Sequence, residues 1–285
     1  EHSNPLCMSG IRFVPVKLID VAGLVPGAHE GKGLGNQFLD DARQAEVLIH
    51  VVDISGSTDI QGQSVNVGTH DPREDIKFAE EEFDSWFKQI LEREWQKLSK
   101  EIEKTKIKLA DGITDRFSGL GVKVNHVHEV LQNLGLLTKK PNEWDDSDLT
   151  KFAQMLRKKT KPMLIAANKA DLCKSLEITN EIHKNREIIN CSSETELLLK
   201  KAAKADLIEY IPGNEKFVIN KNADISAPQK AALNLAESVL SKLNSTGIQT
   251  ALNSAVFRVL KLIIVFPVED ETKLSNKDGE ILPDA

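Results

Sequence analysis

Asn168-Lys169-Ala170-Asp171 closes the apolar run "KPMLIAANKAD" (161–171). Its residue types suit one kind of chemistry. A carboxylate at Asp171 can accept from two adjacent N–H donors at once, and guanine presents such a pair at N1 and at its exocyclic N2 amine. Adenine offers neither donor there, which would leave the carboxylate unpaired at a cost of about 1–3 kcal/mol. Asn168 can bridge the base and the backbone of neighbouring loops, and Lys169 can lay its aliphatic stem over a ring. The carboxyl end of a buried strand is where ligands bind in open α/β sheets.

Two further pieces fit the same chemistry. Asp20-Val21-Ala22-Gly23 has the form D-x-x-G. An aspartate at a strand end suits a direct or water-mediated Mg²⁺ contact, and the glycine lets a backbone N–H approach a γ-phosphate. Alone, the tetrapeptide also fits an ordinary strand-to-loop turn. Ser192-Ser193 ends the run "REIINCSS" (186–193), where a backbone N–H could reach guanine O6. That pair is non-specific by itself.

The loop that usually wraps a β-phosphate, G-x-x-x-x-G-K-[ST], does not occur in the sequence. "EGKGLG" (30–35) does not replace it. The residue five before Gly31 is Pro26, and Gly33 stands where Ser or Thr should hold Mg²⁺. Gly31, Gly33 and Gly35 read first as a mobile loop needing positive φ, with direct phosphate contact as the alternative. Mobility is what a switch that senses a γ-phosphate requires.

The elements that must position these groups alternate. "IRFVPVKLID" (11–20), "EVLIHVVD" (46–53), 161–171 as far as Asn168, and 186–193 read as strands, with a short helix over 36–45. Short apolar strands between helical stretches indicate a parallel sheet covered on both faces. The stretch 74–160 differs. Ile76, Phe83, Phe87, Ile90, Leu91, Trp95, Leu98, Ile102 and Ile107 recur mostly at 3–4 spacing, which predicts one long amphipathic helix over 74–113. Further helices are expected over 124–137 and over 147–159, the last opened by Ser147. This helical insert is either a hairpin packed on itself or a partner-binding arm. Its basic run "KLSKEIEKTKIK" (97–108) is either a solvated face or a phosphate-facing patch. Helices are expected again over 195–211, 227–243 and 247–261, then a strand over 262–270.

Bulk properties narrow the partners. With 285 residues, 40% hydrophobic and 28% charged, the chain resembles ordinary globular proteins and has ample material for a core. A net charge of −6 argues against a chain-wide grip on polyanions, and no DNA specificity is expected. Three scattered cysteines, Cys7, Cys173 and Cys191, give no C-x-x-C spacing, which suits a reducing cytoplasm. No apolar run reaches the roughly 20 residues of a membrane span, and nothing before Glu1 provides a secretory signal, so a cytoplasmic location is expected.

"DVAGLVPGAHEGKGLGNQFLDD" resembles the glycine-rich switch II region of the Obg/YchF-type translation-factor GTPases. "HVVDISGSTD", the helical insert, "NKAD", "CSSETE" and "AVFRVLKLIIVFPVEDE" resemble the archaeal-type YchF branch in the same order. The resemblance implies an α/β, Ras-like P-loop GTPase domain of OBG type with a doubly wound, mostly parallel sheet, over 1–73 and 161–245. It implies a coiled-coil-like helical insert over 74–160, and a linker helix with the start of a β-grasp TGS domain over 246–285. The implied cofactors are GTP and Mg²⁺, and the implied partner is the ribosome or ribosomal RNA. Asp20 and Gly23 would serve Mg²⁺ and the γ-phosphate; Asn168, Lys169, Asp171, Ser192 and Ser193 would read guanine. The phosphate loop, its strand and most of switch I would lie before Glu1, and the TGS domain would continue past Ala285, so a fragment of a longer GTPase, inactive alone, is expected. Leu24 stands where Ras-type enzymes place a water-orienting Gln. His29, in the glycine-rich loop, is a candidate for that role, although a loop histidine is also explained by simple solvation. A rival reading is a nucleotide-dead or ATP-preferring scaffold that binds ribosome or RNA; the full N-K-x-D favours GTP.

Overall fold

The computed structural model describes residues 7–8, 11–21, 41–183 and 186–265. A short antiparallel pair, β1 (Cys7–Met8) and β2 (Ile11–Arg12), precedes the central sheet. That sheet is parallel, with β3 (Leu48–Asp53), β4 (Met163–Asn168) and β5 (Ile188–Asn190) in the order β3-β4-β5. The register sets Asp53 beside Asn168 and Ala167 beside Asn190. The carboxyl ends of all three strands therefore finish together.

The apolar run of β4 is continuous because both of its faces are covered. Leu164 and Ala166 point toward Cys191, Ala251 and Ala255. Ile165 and Ala167 point to the opposite side, toward Val52, Ile76, Ile182 and Ile188. Successive side chains alternate between faces, so one short strand anchors two layers of helix. Full burial of Leu164 and Ile165 contributes roughly 1.5–3 kcal/mol each.

Between β3 and β4 stand four helices with a core of their own. The first, α1 (Pro72–Thr105), starts where Asp71 accepts from the Arg73 N–H, with Pro72 in the first turn and Glu74 and Asp75 at its positive end. Its buried stripe runs Ile76, Ala79, Phe83, Phe87, Leu91, Trp95, Leu98 and Ile102. The single helix expected through 113 breaks at Lys106, which adopts φ 57° and returns its N–H to the Ile102 carbonyl. The chain reverses and α2 (Leu109–Phe117) packs back on α1. Gly112 permits that approach, since a Cβ there would lie 3.1 Å from Ile102. Next come α3 (Val124–Asn133) and α4 (Asp146–Thr160). The cap of α4 is Asp145 rather than Ser147: its carboxylate accepts from the Asp148 N–H at 2.9 Å, and Asp148 accepts from the Asp145 N–H at 3.1 Å. Two acids close this box reciprocally, so a serine inside the first turn is not needed. Trp144 lies against Trp95 and Phe152, with ring centroids at 4.5 and 5.1 Å. The buried Arg157 of α4 donates to Asp84 of α1 at 2.7 Å.

After β4 the chain forms α5 (Glu177–His183), β5, and α6 (Ser193–Lys204). The helix expected to reach 211 stops at Lys204, because Asp206 at φ 58° turns the chain into β6 (Ile208–Glu209), which pairs antiparallel with β7 (Val218–Ile219). Then follow α7 (Ala227–Leu243), α8 (Ile248–Asn253) and a π-helical turn (Ser254–Val259).

Two expected strands take a different form. Of 11–20 only Ile11–Arg12 is paired, and Val14, Val16 and Leu18 are exposed. Composition supplies β-branched residues, but a strand exists only where a ladder and a covering layer receive it. Among the described residues nothing pairs with the outer edge of β3, where Val51 is 61% exposed. Residues 261–265 likewise carry no strand, and Ile263 is 82% exposed. Of the helix expected over 36–45, residues 41–44 are helical. The glycine-rich loop over 22–40 and the TGS start from 266 onward lie outside the described residues.

Candidate functional site

The Asn168–Asp171 turn sits at the carboxyl edge of the sheet because β4 ends there. The Asn168 carbonyl accepts from the Ile54 N–H at 3.0 Å, and the Ala170 N–H donates to the Cys191 carbonyl at 3.0 Å. The turn is thus held by β3 on one side and by the end of β5 on the other. Asn168 Oδ1 accepts from the Ser193 N–H at 3.0 Å. This joins the two loops that the sequence singled out separately. With its oxygen engaged, the side-chain amide of Asn168 presents its Nδ2 donors, which suit the O6 and N7 acceptor edge of guanine.

Lys169 takes the left-handed conformation, φ 59° and ψ 28°, which a residue with a Cβ adopts only under outside restraint. The restraint is its ammonium. Nζ donates to Asp53 Oδ2 at 2.7 Å, Thr58 Oγ1 at 2.9 Å and Ser57 Oγ at 3.2 Å. Asp53 also accepts from the Ser55 N–H at 3.0 Å and from the Ser55 hydroxyl, Ser57 at 2.7 Å and Thr58 at 2.6 Å. Burial would lift the Asp53 carboxyl, yet hydrogen bonds from Lys169, Ser55, Thr58 and Ser57 hold it far below the usual carboxylate range. A salt bridge thus fixes the far end of the Lys169 stem.

Asp171 lies half-buried in the 3₁₀ turn Ala170–Leu172. Among the described residues no group pairs with its carboxylate, so the acceptor is available to a ligand. Ser192 and Ser193 behave differently from expectation. The Ser192 N–H donates to the Thr246 carbonyl at 2.8 Å and the Ser193 N–H to Asn168, so both are engaged within the protein and neither is open to guanine O6. Ser192 is buried, with its hydroxyl 2.8 Å from that of Thr195. Beneath this loop the buried Glu196 accepts from Tyr210 at 2.8 Å and from Thr246 at 2.6 Å. Burial pushes the neighbouring Cys191 thiol up to about 12, so it stays protonated.

The chain is 41% identical to an uncharacterised GTP-binding protein of Methanocaldococcus jannaschii, over 99% of the chain and 70% of that protein. It is 33% identical to an uncharacterised GTP-binding protein of Schizosaccharomyces pombe, over 96% of the chain and 68% of that protein. A family model described as Obg-like GTPase YGR210-like, G4 motif-containing domain, matches residues 166–270. The chain belongs to the Obg-like GTPase family. A second model, described as 50S ribosome-binding GTPase, matches residues 8–89. The crystal structure of a GTP binding protein from Pyrococcus horikoshii OT3 superposes with a TM-score of 0.70 at 42% identity, covering 87% of this chain and 65% of that one. The chain therefore spans about two thirds of the length of these Obg-like relatives.

Within this Obg-like GTPase the remaining expected residues are less gathered. Asp20 is exposed, and among the described residues no contact links it to the Asn168–Asp171 turn. A single open carboxylate fits Mg²⁺, which keeps several waters and takes its other oxygens from phosphates. Gly23 and His29 lie outside the described residues. Asp53, Ser57, Thr58 and Thr246 were not singled out from the sequence as site residues. For Asp53, Ser57 and Thr58 the signal was present: "HVVDISGSTD" sets an aspartate at a strand end, with hydroxyls two, four and five residues later. No helix among the described residues is long and apolar enough to cross a membrane.

Proposed function

We propose that this Obg-like protein binds guanine nucleotide through Asn168, Lys169 and Asp171 and hydrolyses GTP in a ribosome- or RNA-associated role. The observation that carries the reading is the joined loop pair. The Asn168 oxygen is fixed by Ser193 at 3.0 Å, which leaves its amide donors free, and three residues on in the same turn the Asp171 carboxylate has no partner among the described residues. Donors and acceptors in that arrangement complement O6 and N7 on one side of guanine and N1–H and N2 on the other. Ser192 and Ser193 serve by holding the loop, and Lys169 by presenting its stem.

On the phosphate side the assignments are Asp20 toward Mg²⁺, the Gly23 N–H toward the γ-phosphate, and His29 toward the attacking water. Bound Mg²⁺ would neutralise charge developing on the phosphate oxygens. Leu24 cannot orient water, so intrinsic hydrolysis should be slow. No G-x-x-x-x-G-K-[ST] occurs in these 285 residues, so on their own they should bind GTP at about micromolar or weaker and show no turnover. The helices of 74–160 and the linker helix with the start of a TGS domain over 246–285 would meet the ribosome; the 50S ribosome-binding description of the family matching 8–89 supports that partner.

The deciding experiment is Asp171→Asn in the full-length protein. The change turns an acceptor into a donor against the guanine N2 amine but complements the carbonyl of xanthine. GTP affinity should fall and xanthosine triphosphate affinity should rise relative to it. Unchanged discrimination between the two would reduce Asn168–Asp171 to a structural turn, and a preference for ATP in the parent protein would replace the guanine reading.

A further inference from the structure

Lys242, near the end of α7, sends its ammonium into the turn that carries Asp171. Its Nζ donates to the carbonyls of Ala170 at 3.2 Å and Asp171 at 3.1 Å, and to that of Cys173. The Ala170–Leu172 turn is entered through the left-handed Lys169 and left through Cys173, whose N–H returns to the Ala170 carbonyl at 3.3 Å. Three carbonyls of one short segment converge on one point. An ammonium has three donors and a compact charge, which matches such a cluster; a planar guanidinium matches it only in part.

The same stretch of chain reaches the second loop. Thr246 accepts from the Ser192 N–H at 2.8 Å. Gly247, at φ +79°, lies so close to the end of β5 that a Cβ would sit 1.9 Å from the Asn190 carbonyl oxygen. Thr246 and Gly247 are buried, while Lys242 reaches its carbonyls from the surface. Residues 242–247 thus touch the backbone of both loops.

We propose that Lys242 is a positioning residue for base recognition: it sets the Ala170–Leu172 turn so that the Asp171 carboxylate meets two guanine donors together. The inference rests on the assignment of Asp171 above. A carboxylate that tilts can keep one hydrogen bond and lose the other, so two-point recognition is more sensitive to the turn than binding as a whole.

The test compares GDP with inosine diphosphate, which keeps N1–H and lacks the N2 amine. Lys242→Met retains the stem and removes the ammonium. In the full-length protein, the ratio of GDP to inosine diphosphate affinity should fall by about fivefold, the size of one lost hydrogen bond. Melting temperature should move little, and Lys242→Arg should restore part of the ratio. A Met variant that is folded and keeps the parent ratio overturns the role of Lys242. If the Met variant does not fold, Lys242→Gln carries the same comparison with the same two outcomes. A parent protein that does not separate GDP from inosine diphosphate and ADP refutes instead the guanine reading on which the inference rests.

Discussion

Replacing Asp53 by Asn tests whether the site is held by its salt bridge. Five donors converge on this carboxylate: the Ser55 N–H, the hydroxyls of Ser55, Ser57 and Thr58, and Lys169 Nζ at 2.7 Å. Asparagine keeps one acceptor oxygen, and the hydroxyls can turn to accept from its amide. The Lys169 ammonium cannot, so the loss concentrates there. A hydrogen bond to a charged group is worth about 1.5–3 kcal/mol. The Lys169 side chain is 39% exposed, so water recovers part of that, and about 2 kcal/mol should remain. In a protein of this size that lowers the melting temperature by about 4–8 °C, read from the fluorescence of the buried Trp86, Trp95 and Trp144. The pH dependence has a definite sign. The folded Asp53 pKa lies below its ordinary value of 3.8, so its stabilisation is complete above 3.8 and is lost as pH falls through the folded value. The gap between parent and variant should be constant from about pH 7 to 5.5 and narrow below about 4. A melting temperature unchanged at neutral pH, or a gap that stays constant down to about pH 3, would refute the salt-bridge account.

Asp84→Ala leaves Arg157 buried without its partner and should cost about 3–5 kcal/mol in urea unfolding, whereas Arg157→Met with Asp84→Leu should recover most of it. If the double change is as damaging as the single one, the cost is lost packing and not an unpaired charge. Gly247→Ala must move the end of β5, since its Cβ would stand 1.9 Å from a backbone oxygen; weaker GDP binding together with a lower melting temperature is expected, and normal GDP affinity would separate the 242–247 segment from the site. Deleting 74–160 from the full-length protein should abolish salt-sensitive ribosome co-sedimentation while sparing nucleotide affinity; retained co-sedimentation would make these helices purely structural. On ribosome binding, amide exchange should change over 54–71 and not at Leu164–Ala167 in the sheet, and faster exchange in β4 would show the opposite route.

The strands of the sheet were legible because their runs are apolar, interrupted only by His50 in β3, and each ends at a polar residue: Asp53, Asn168 and Asn190. The first buried stripe of the helices was legible from its spacing. What composition concealed were the breaks. Lys106 and Asp206 end helices through positive φ, a conformation that neither residue type announces. Segment 11–20 has strand composition but, beyond Ile11–Arg12, no ladder receives it. In the candidate site, the Asn168, Lys169 and Asp171 triplet is found from residue chemistry at fixed spacing. Its supports are not, because Asp53, Thr246 and Lys242 lie about 70 to 115 residues from Lys169 along the chain and come to the two loops only through the fold.

The helices of 72–160 are spliced between β3 and β4, the two strands whose ends bear the Asp53–Lys169 bridge. That placement constrains how a partner bound to them can influence the base site. Separating β3 from β4 would break a register six residues long, from Leu48–Met163 to Asp53–Asn168, and expose Val52, Ile165 and Ala167. Loss of that burial alone approaches several kcal/mol, more than most regulatory couplings amount to. The segment 54–71 is a softer path. It runs from Asp53 to the Asp71 cap of α1 through turn bonds such as Val65 N–H to Ser57 at 2.8 Å and His70 N–H to Gly56 at 3.2 Å. Ser57 and Thr58, which hold the Lys169 ammonium, belong to it. A shift of α1 therefore reaches Lys169 through a few surface hydrogen bonds, while the sheet beneath, and with it the placement of Asn168 against Ser193, stays fixed.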